Sequence, residues 1–122
     1  MNKFKSLTPM LWTDKLEETI SFYKDKLGFT VNEHNPDWGW ADISKDETNF
    51  MLAKPNEHVG FKNGAQFTGS FYFSVENADE LWEQLKDKVK VCYPIEDFDW
   101  GMREFAVFDN NGYTLQFGHE IN

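Results

Sequence analysis

Residues 98–118 read FDWGMREFAVFDNNGYTLQFG, and the fold is decided by how this stretch is parsed. Asp109-Asn110-Asn111-Gly112 groups residues that tolerate φ > 0 between two apolar runs, which predicts two antiparallel strands joined by a turn. Arg103-Glu104 sets a charged pair inside the first of those strands. A strand buried on both faces does not carry such a pair, so one face meets a core and the other meets water or a polar cavity.

The chain around this hairpin has 122 residues, enough for a hydrophobic core without disulfides. Twelve basic and twenty-one acidic side chains give a formal charge of −9. Such a surface repels phosphate backbones and anionic headgroups, so neither nucleic acid nor membrane is an expected partner. Cys92 is the one cysteine, which excludes a disulfide framework and a cysteine zinc cluster, and its apolar context VKVCYPI predicts a small core residue. The N-terminal MNKFKSLTPM lacks the apolar region of a signal peptide, so a cytoplasmic location is expected. Aromatic residues reach 17%, with five Trp and twelve Phe. That surplus suggests a concave surface for a flat or cationic ligand as well as a core.

Upstream, SLTPMLWT (residues 6–13) predicts an edge strand because Pro9 cannot donate to a ladder. Asp14 reads as a helix N-cap with Glu17 three residues on, Gly28 as the stop, and Leu16, Ile20, Tyr23 and Leu27 as the buried stripe between them. Strands are predicted at 29–34, 38–43 and 48–53. The second half repeats the order: a strand at 69–75, a helix capped by Asn77 with Ala78, Leu81 and Leu85 as its stripe, a strand at 89–93, then the hairpin. Asp14 and Asn77 lie 63 residues apart, and the turns before Thr48 and Tyr113 lie 65 apart. The prediction is α+β: two βαβββ modules with mixed, largely antiparallel sheets and helices on one face. Module one spans about 4–53, a linker about 54–68, and module two about 69–119, in one domain of 122 residues.

Strand parity then assigns the face away from the helices. It carries Trp38, Trp40, Asp42, Asn49 and Met51 in the first module. In the second it carries Tyr72, Ser74, Met102, Glu104, Ala106, Phe108, Thr114 and Gln116. Trp100 stands at its entrance. Aromatic surface of this kind is costly to leave bare, so a ligand site is expected there, the alternatives being an ordinary half-polar sheet surface or a dimer interface.

TPMLWTD…FYKDKLGF, SVENADELW and WGMREFAVFDNNGYTLQF, in that order over nearly the whole chain, resemble the glyoxalase/bleomycin-resistance/dioxygenase superfamily, the vicinal oxygen chelate fold. Pro9, DETNFMLA and WGMREF followed by a D-x-x-G turn are most similar to bleomycin-resistance proteins. The resemblance implies metal ligands on the first and last strands of each module in the family's metal enzymes. Here those positions hold Leu7, Met51, Ser70 and Gln116, of which Gln116 alone could ligate, and weakly. No metal and no cofactor are therefore expected. His34, His58 and His119 show no short ligand spacing and are expected on the surface or at a partner contact.

Two functions follow from the resemblance. The first is an antibiotic-binding protein that sequesters a flat, cationic small molecule in an aromatic, acidic crevice at the interface of a homodimer, with modules exchanged around Pro9. Its ligand-binding residues are Trp38, Trp40, Asp42, Met51, Tyr72, Trp100, Met102, Glu104 and Gln116. The alternative is a superfamily enzyme of lyase, isomerase or dioxygenase type with an atypical or absent metal, using Glu104 as a general base of raised pKa. Against that stands a plain pairing of Glu104 with a basic side chain, such as Arg103 of a partner or a neighbouring strand.

Overall fold

The computed structural model describes residues 3–56, 64–67 and 69–122, and within them the order β-α-β-β-β occurs twice. The first set is β1 (Met10–Trp12), α1 (Leu16–Ser21, continued by a π-helical turn at Phe22–Lys26), β2 (Thr30–Asn35), β3 (Trp40–Lys45) and β4 (Thr48–Ala53). The second is β5 (Phe71–Ser74), α2 (Ala78–Leu85), β6 (Lys90–Asp97), β7 (Met102–Phe108) and β8 (Thr114–Glu120). Residues 1–61 and 62–122 form two compact units, each holding one set. The sheets have equivalent orders, β1-β4-β3-β2 and β5-β8-β7-β6. In each the first strand runs parallel to the last and the other pairs are antiparallel, so both sheets are mixed.

The helical stripe behaves as its spacing predicts: Leu16, Ile20, Tyr23 and Leu27 are all buried. The Tyr23 ring meets Phe29 at 5.5 Å and Phe50 at 5.8 Å between centroids, closing the first core. In the second unit Phe105 and Phe117 stack at 5.3 Å, and Trp82 of α2 reaches Phe105 at 5.2 Å. Each ring of this kind, fully buried, contributes about 1.5–3 kcal/mol.

The two helix starts differ. Asn77 caps α2 as expected, its side chain accepting from the Glu80 N–H at 3.1 Å. His119 Nδ1 accepts from the Ala78 N–H at 2.9 Å, so a second donor of that helix start is also met. Asp14 does not cap α1. The N-cap position belongs to Lys15, with no side-chain cap. The buried Thr13 and Thr19 hydroxyls instead pair at 2.9 Å, Thr13 Oγ1 accepts from the Lys15 N–H, and Thr19 Oγ1 donates to the Lys15 carbonyl. Two hydroxyls meeting in the core outcompete an exposed carboxylate for this turn.

The hairpin of the opening stretch is present. Phe108 pairs with Thr114, and Asp109 Oδ1 accepts from the N–H groups of Asn111 and Tyr113 at 2.8 and 2.9 Å. Other expectations need correction. β1 begins only after Pro9, and Leu7 lies outside it, 90% exposed. Trp38 is not on β3. The turn opened by Asn35-Pro36 runs through Gly39, which donates to the Pro36 carbonyl, and Trp38 is left 75% exposed at its tip. The β6–β7 connection builds the same turn: Gly101 donates to the Phe98 carbonyl, and Trp100 takes the position of Trp38. Both turns read Asp-Trp-Gly, with φ of 65° at Gly39 and 82° at Gly101, a backbone that disfavours any side chain.

Cys92 is exposed and not in the core. The pairing of β6 with β7 slips there: Val91 faces Val107 but Tyr93 faces Ala106. One extra residue is thus accommodated as a bulge. Asn32 occupies the same place in the first sheet, where Val31 faces Ile43 and Glu33 faces Asp42. Among the described residues, no helix is long and apolar enough to cross a membrane.

Candidate functional site

Alternation along β7 sends Arg103, Phe105 and Val107 toward α2. Arg103 bridges Asp79 of α2 through Nε at 2.8 Å and Asp97 of β6 through Nη1 at 3.0 Å. Glu104 points to the opposite face. It is not open to a cavity there, being 1% exposed. Its Oε1 accepts from the Tyr72 hydroxyl and the Trp100 indole N–H, both at 2.9 Å. Its Oε2 accepts from the Tyr93 hydroxyl in a short bond and from Gln116 Nε2 at 3.5 Å. Among the described residues no Lys, Arg or His pairs with it, so the expected pairing with a basic side chain gives way to four neutral donors.

Those donors decide its ionisation. Burial works to raise the Glu104 carboxyl, and the bonds from Tyr93, Trp100, Tyr72 and Gln116 outweigh it, holding the group below its ordinary value. Glu104 is therefore an ionised carboxylate at neutral pH with its lone-pair positions filled. The reading of Glu104 as a general base of raised pKa is overturned. The same contacts act in reverse on the phenols. Burial first, then the Glu104 carboxylate, pushes the Tyr72 hydroxyl up to about 12. Burial also pushes Tyr93 up to about 12, with Gln116 opposing and Glu104 reinforcing. Both remain donors throughout the physiological range.

Four strands converge to make this arrangement. Tyr72 on β5 is separated from β7 by β8, and its hydroxyl reaches Glu104 by crossing over Gly118, the residue paired with Glu104. A Cβ at position 118 would collide with the Tyr72 hydroxyl and lie 2.9 Å from Glu104 Cβ, so the crossing requires glycine. From the other edge, the bulge at Cys92 turns Tyr93 onto the Glu104 face. Trp100 arrives from the β6–β7 turn and stacks on Phe98 at 4.6 Å and 14°, while Phe98 meets Tyr93 edge-on at 5.6 Å. Gln116 links outward as well: Ser70 Oγ donates to its Oε1 at 2.5 Å, and its Nε2 donates to the Tyr93 hydroxyl at 2.9 Å.

Of the predicted ligand residues, Tyr72, Trp100, Glu104 and Gln116 thus form one cluster in the second unit. Met102 lies half-buried at the start of β7 and makes no polar contact with it. In the first unit Trp40 and Asp42 share a face of β3, and Asp42 pairs in register with Met51. Asn49 Nδ2 donates to Asp42 at 2.5 Å and Thr8 donates to Asn49 at 3.2 Å. Trp38 stands apart at its turn. Tyr93 is the cluster residue that strand parity does not find. Pro94 beside it marks an irregular edge, but nothing in VCYPI says which residue is bulged.

The residues do not fit a metal of the superfamily's usual kind. Met51 faces Met10 across β1–β4, Gln116 faces Tyr72 across β5–β8, and Gln116 and Ser70 are engaged with each other. An aliphatic, a thioether, a hydroxyl and an amide make a poor donor set for a divalent cation. Among the described residues no three His, Cys, Asp or Glu side chains gather as a ligand group. His34 pairs with Glu17 at 3.2 Å, His119 serves α2, and His58 lies outside the described residues. A cavity of about 300 Å³ opens beside the start of α1, lined by Asp14, Glu17, Glu18 and Lys54 among others. It contains none of the predicted site residues and no aromatic wall, so the chemistry argues for the Glu104 cluster instead.

Comparison with known proteins agrees with this architecture. A bleomycin resistance protein of Geobacillus stearothermophilus is 27% identical over 93% of this chain and 95% of its own length. Among solved structures, TioX from Micromonospora sp. ML1 superposes with a TM-score of 0.80 at 17% identity, covering 97% of this chain and all of that one. The bleomycin-binding protein of bleomycin-producing Streptomyces verticillus, solved with copper(II)-bleomycin, gives 0.71 at 24% identity over 96% of this chain and 97% of its own. The family model of the glyoxalase/bleomycin resistance protein/dioxygenase superfamily matches residues 5–117. The chain belongs to that superfamily.

Proposed function

We propose that this protein sequesters a flat, cationic small molecule of the bleomycin type without transforming it, and that it does so as a homodimer with its ligand crevice at the subunit interface. The observation that carries the reading is the buried, ionised Glu104, which has no cationic partner among the described residues and lies under aromatic rings that remain open. Trp100 is 64% exposed and Tyr72 43% exposed. A ring stacked on such a surface gains about 0.5–1.5 kcal/mol beyond its area, and a cation over it about as much again. The net charge of −9 adds a favourable long-range field. The bleomycin resistance proteins among the relatives lend support. Met102 is a further proposed ligand contact of the second unit, and Trp38, Trp40, Asp42 and Met51 are the proposed contacts of the first unit, taken by itself.

Titration with bleomycin and with copper(II)-bleomycin, followed by intrinsic tryptophan fluorescence, tests this. Saturable quenching is expected, weakened at least tenfold in Kd by Trp100→Ala or Trp40→Ala. Fluorescence unchanged up to the solubility limit of both compounds would reject sequestration.

A further inference from the structure

The hydrogen bonds around Glu104 all run one way. Tyr72, Tyr93 and Trp100 give their hydrogens to the carboxylate. Gln116 Nε2 gives its hydrogens to Tyr93 and Glu104, and Ser70 gives its own to Gln116 Oε1. Every polar side-chain hydrogen of the cluster is therefore spent within it, four of them on one carboxylate. The hydrogen-bonding capacity left to these side chains is to accept. The Tyr93 oxygen already accepts from Gln116, whereas the Tyr72 oxygen accepts from no group among the described residues, and Tyr72 is the more exposed phenol. Donation to an anion polarises a hydroxyl and makes its oxygen a better acceptor. Beside it stands Trp100, whose ring is backed by Phe98 and whose N–H is committed.

We infer that the Glu104 cluster is a donor-selecting seat: the Tyr72 oxygen takes an N–H of a primary ammonium, amidinium or guanidinium group, whose flat or apolar portion lies against Trp100. This rests on the proposed binding function and deepens it, since it names which end of a cationic ligand the second module reads. The seat distinguishes among cations. A quaternary ammonium feels the Glu104 charge and the ring but has no hydrogen to give, so it forgoes the bond to Tyr72. A carboxylate finds no donor and is repelled. Gly118 belongs to the same device, because any side chain there would displace the Tyr72 hydroxyl from Glu104.

Three small probes of matched ring size separate these cases: benzamidinium, benzyltrimethylammonium and benzoate, each titrated against the full chain while the Trp100 indole N–H is followed by ¹H–¹⁵N NMR. Benzamidinium is expected to shift that resonance and to bind about tenfold more tightly than benzyltrimethylammonium, the size of one hydrogen bond to a charged group. Benzoate is expected not to bind. Tyr72→Phe keeps the ring and is expected to erase the difference between the two cations. Glu104→Gln is expected to weaken both cations. Equal affinity of the two cations for the unaltered protein, binding of benzoate, or no shift with any probe overturns the inference. Bleomycin binding is read separately. Quenching by bleomycin without discrimination among the probes leaves sequestration standing and removes the seat; the reverse result removes sequestration alone.

Discussion

Glu104 shows how one residue is governed by what surrounds it. Its folded pKa lies below the ordinary 4.5, so the stability it contributes is present above the unfolded value and is lost as pH falls through the lower, folded one. Tyr72 and Tyr93 have the opposite sign. Raised from 10.0 to about 12, they contribute stability that is complete below pH 10 and is lost between 10 and about 12. Urea unfolding measured across pH should therefore show an acid limb that Glu104→Gln flattens and an alkaline limb that Tyr72→Phe makes shallower. At neutral pH Glu104→Gln should cost about 1–3 kcal/mol, because an amide satisfies fewer of the buried donors than a carboxylate does. An unchanged acid limb in Glu104→Gln would show that the carboxylate does not carry it.

At the scale of elements, the two helices offer a controlled comparison within one chain. Both are preceded by a residue that is a good cap by type, with Glu three positions on, yet only Asn77 closes the bond to the N3 N–H. Asn77→Ala should lower stability by about 1 kcal/mol, and Asp14→Ala should stay within about 0.5 kcal/mol of the original protein. Thermal or urea denaturation of the two variants measures this directly, and equal losses would contradict the assignment. The strands carry a related lesson. The bulges at Asn32 and Cys92 occur at the same place in the two sheets, and in the second one the bulge delivers Tyr93 to Glu104. A local irregularity here does positional work for the site.

For the whole molecule, two units of the same plan each leave one sheet face with rings and polar groups away from the helix. The homodimer proposed above would cover such faces, and self-complementary two-fold pairing is the commonest form of oligomer. Sedimentation equilibrium should accordingly return twice the chain mass at micromolar protein. A monomer at all concentrations would remove the interface from the proposed function while leaving the Glu104 seat testable on the single chain.

Local chemistry is what the sequence by itself determined. The stripe Leu16, Ile20, Tyr23, Leu27, the Asn77 cap, the Asp109–Gly112 turn and the doubled β-α-β-β-β order follow from periodicity and turn residues, which act within a few positions of the chain. The family was legible from the same short signatures. Alternation also identified which face of the second sheet would hold Tyr72, Glu104 and Gln116. Only the tertiary structure decided that this face closes over Glu104. The carboxylate's burial, its donors and its lowered pKa depend on Tyr72 crossing Gly118, on Tyr93 turned by a bulge and on Trp100 carried in by a turn, which bond to Glu104 from 32, 11 and 4 positions away. Parity carries no information about a bulge, so Tyr93 stayed hidden and Trp38 was assigned to a strand it does not join. Burial of a charge is likewise a property of the assembled sheet: the same Glu104 is an open base on paper and a saturated anion once its neighbours arrive.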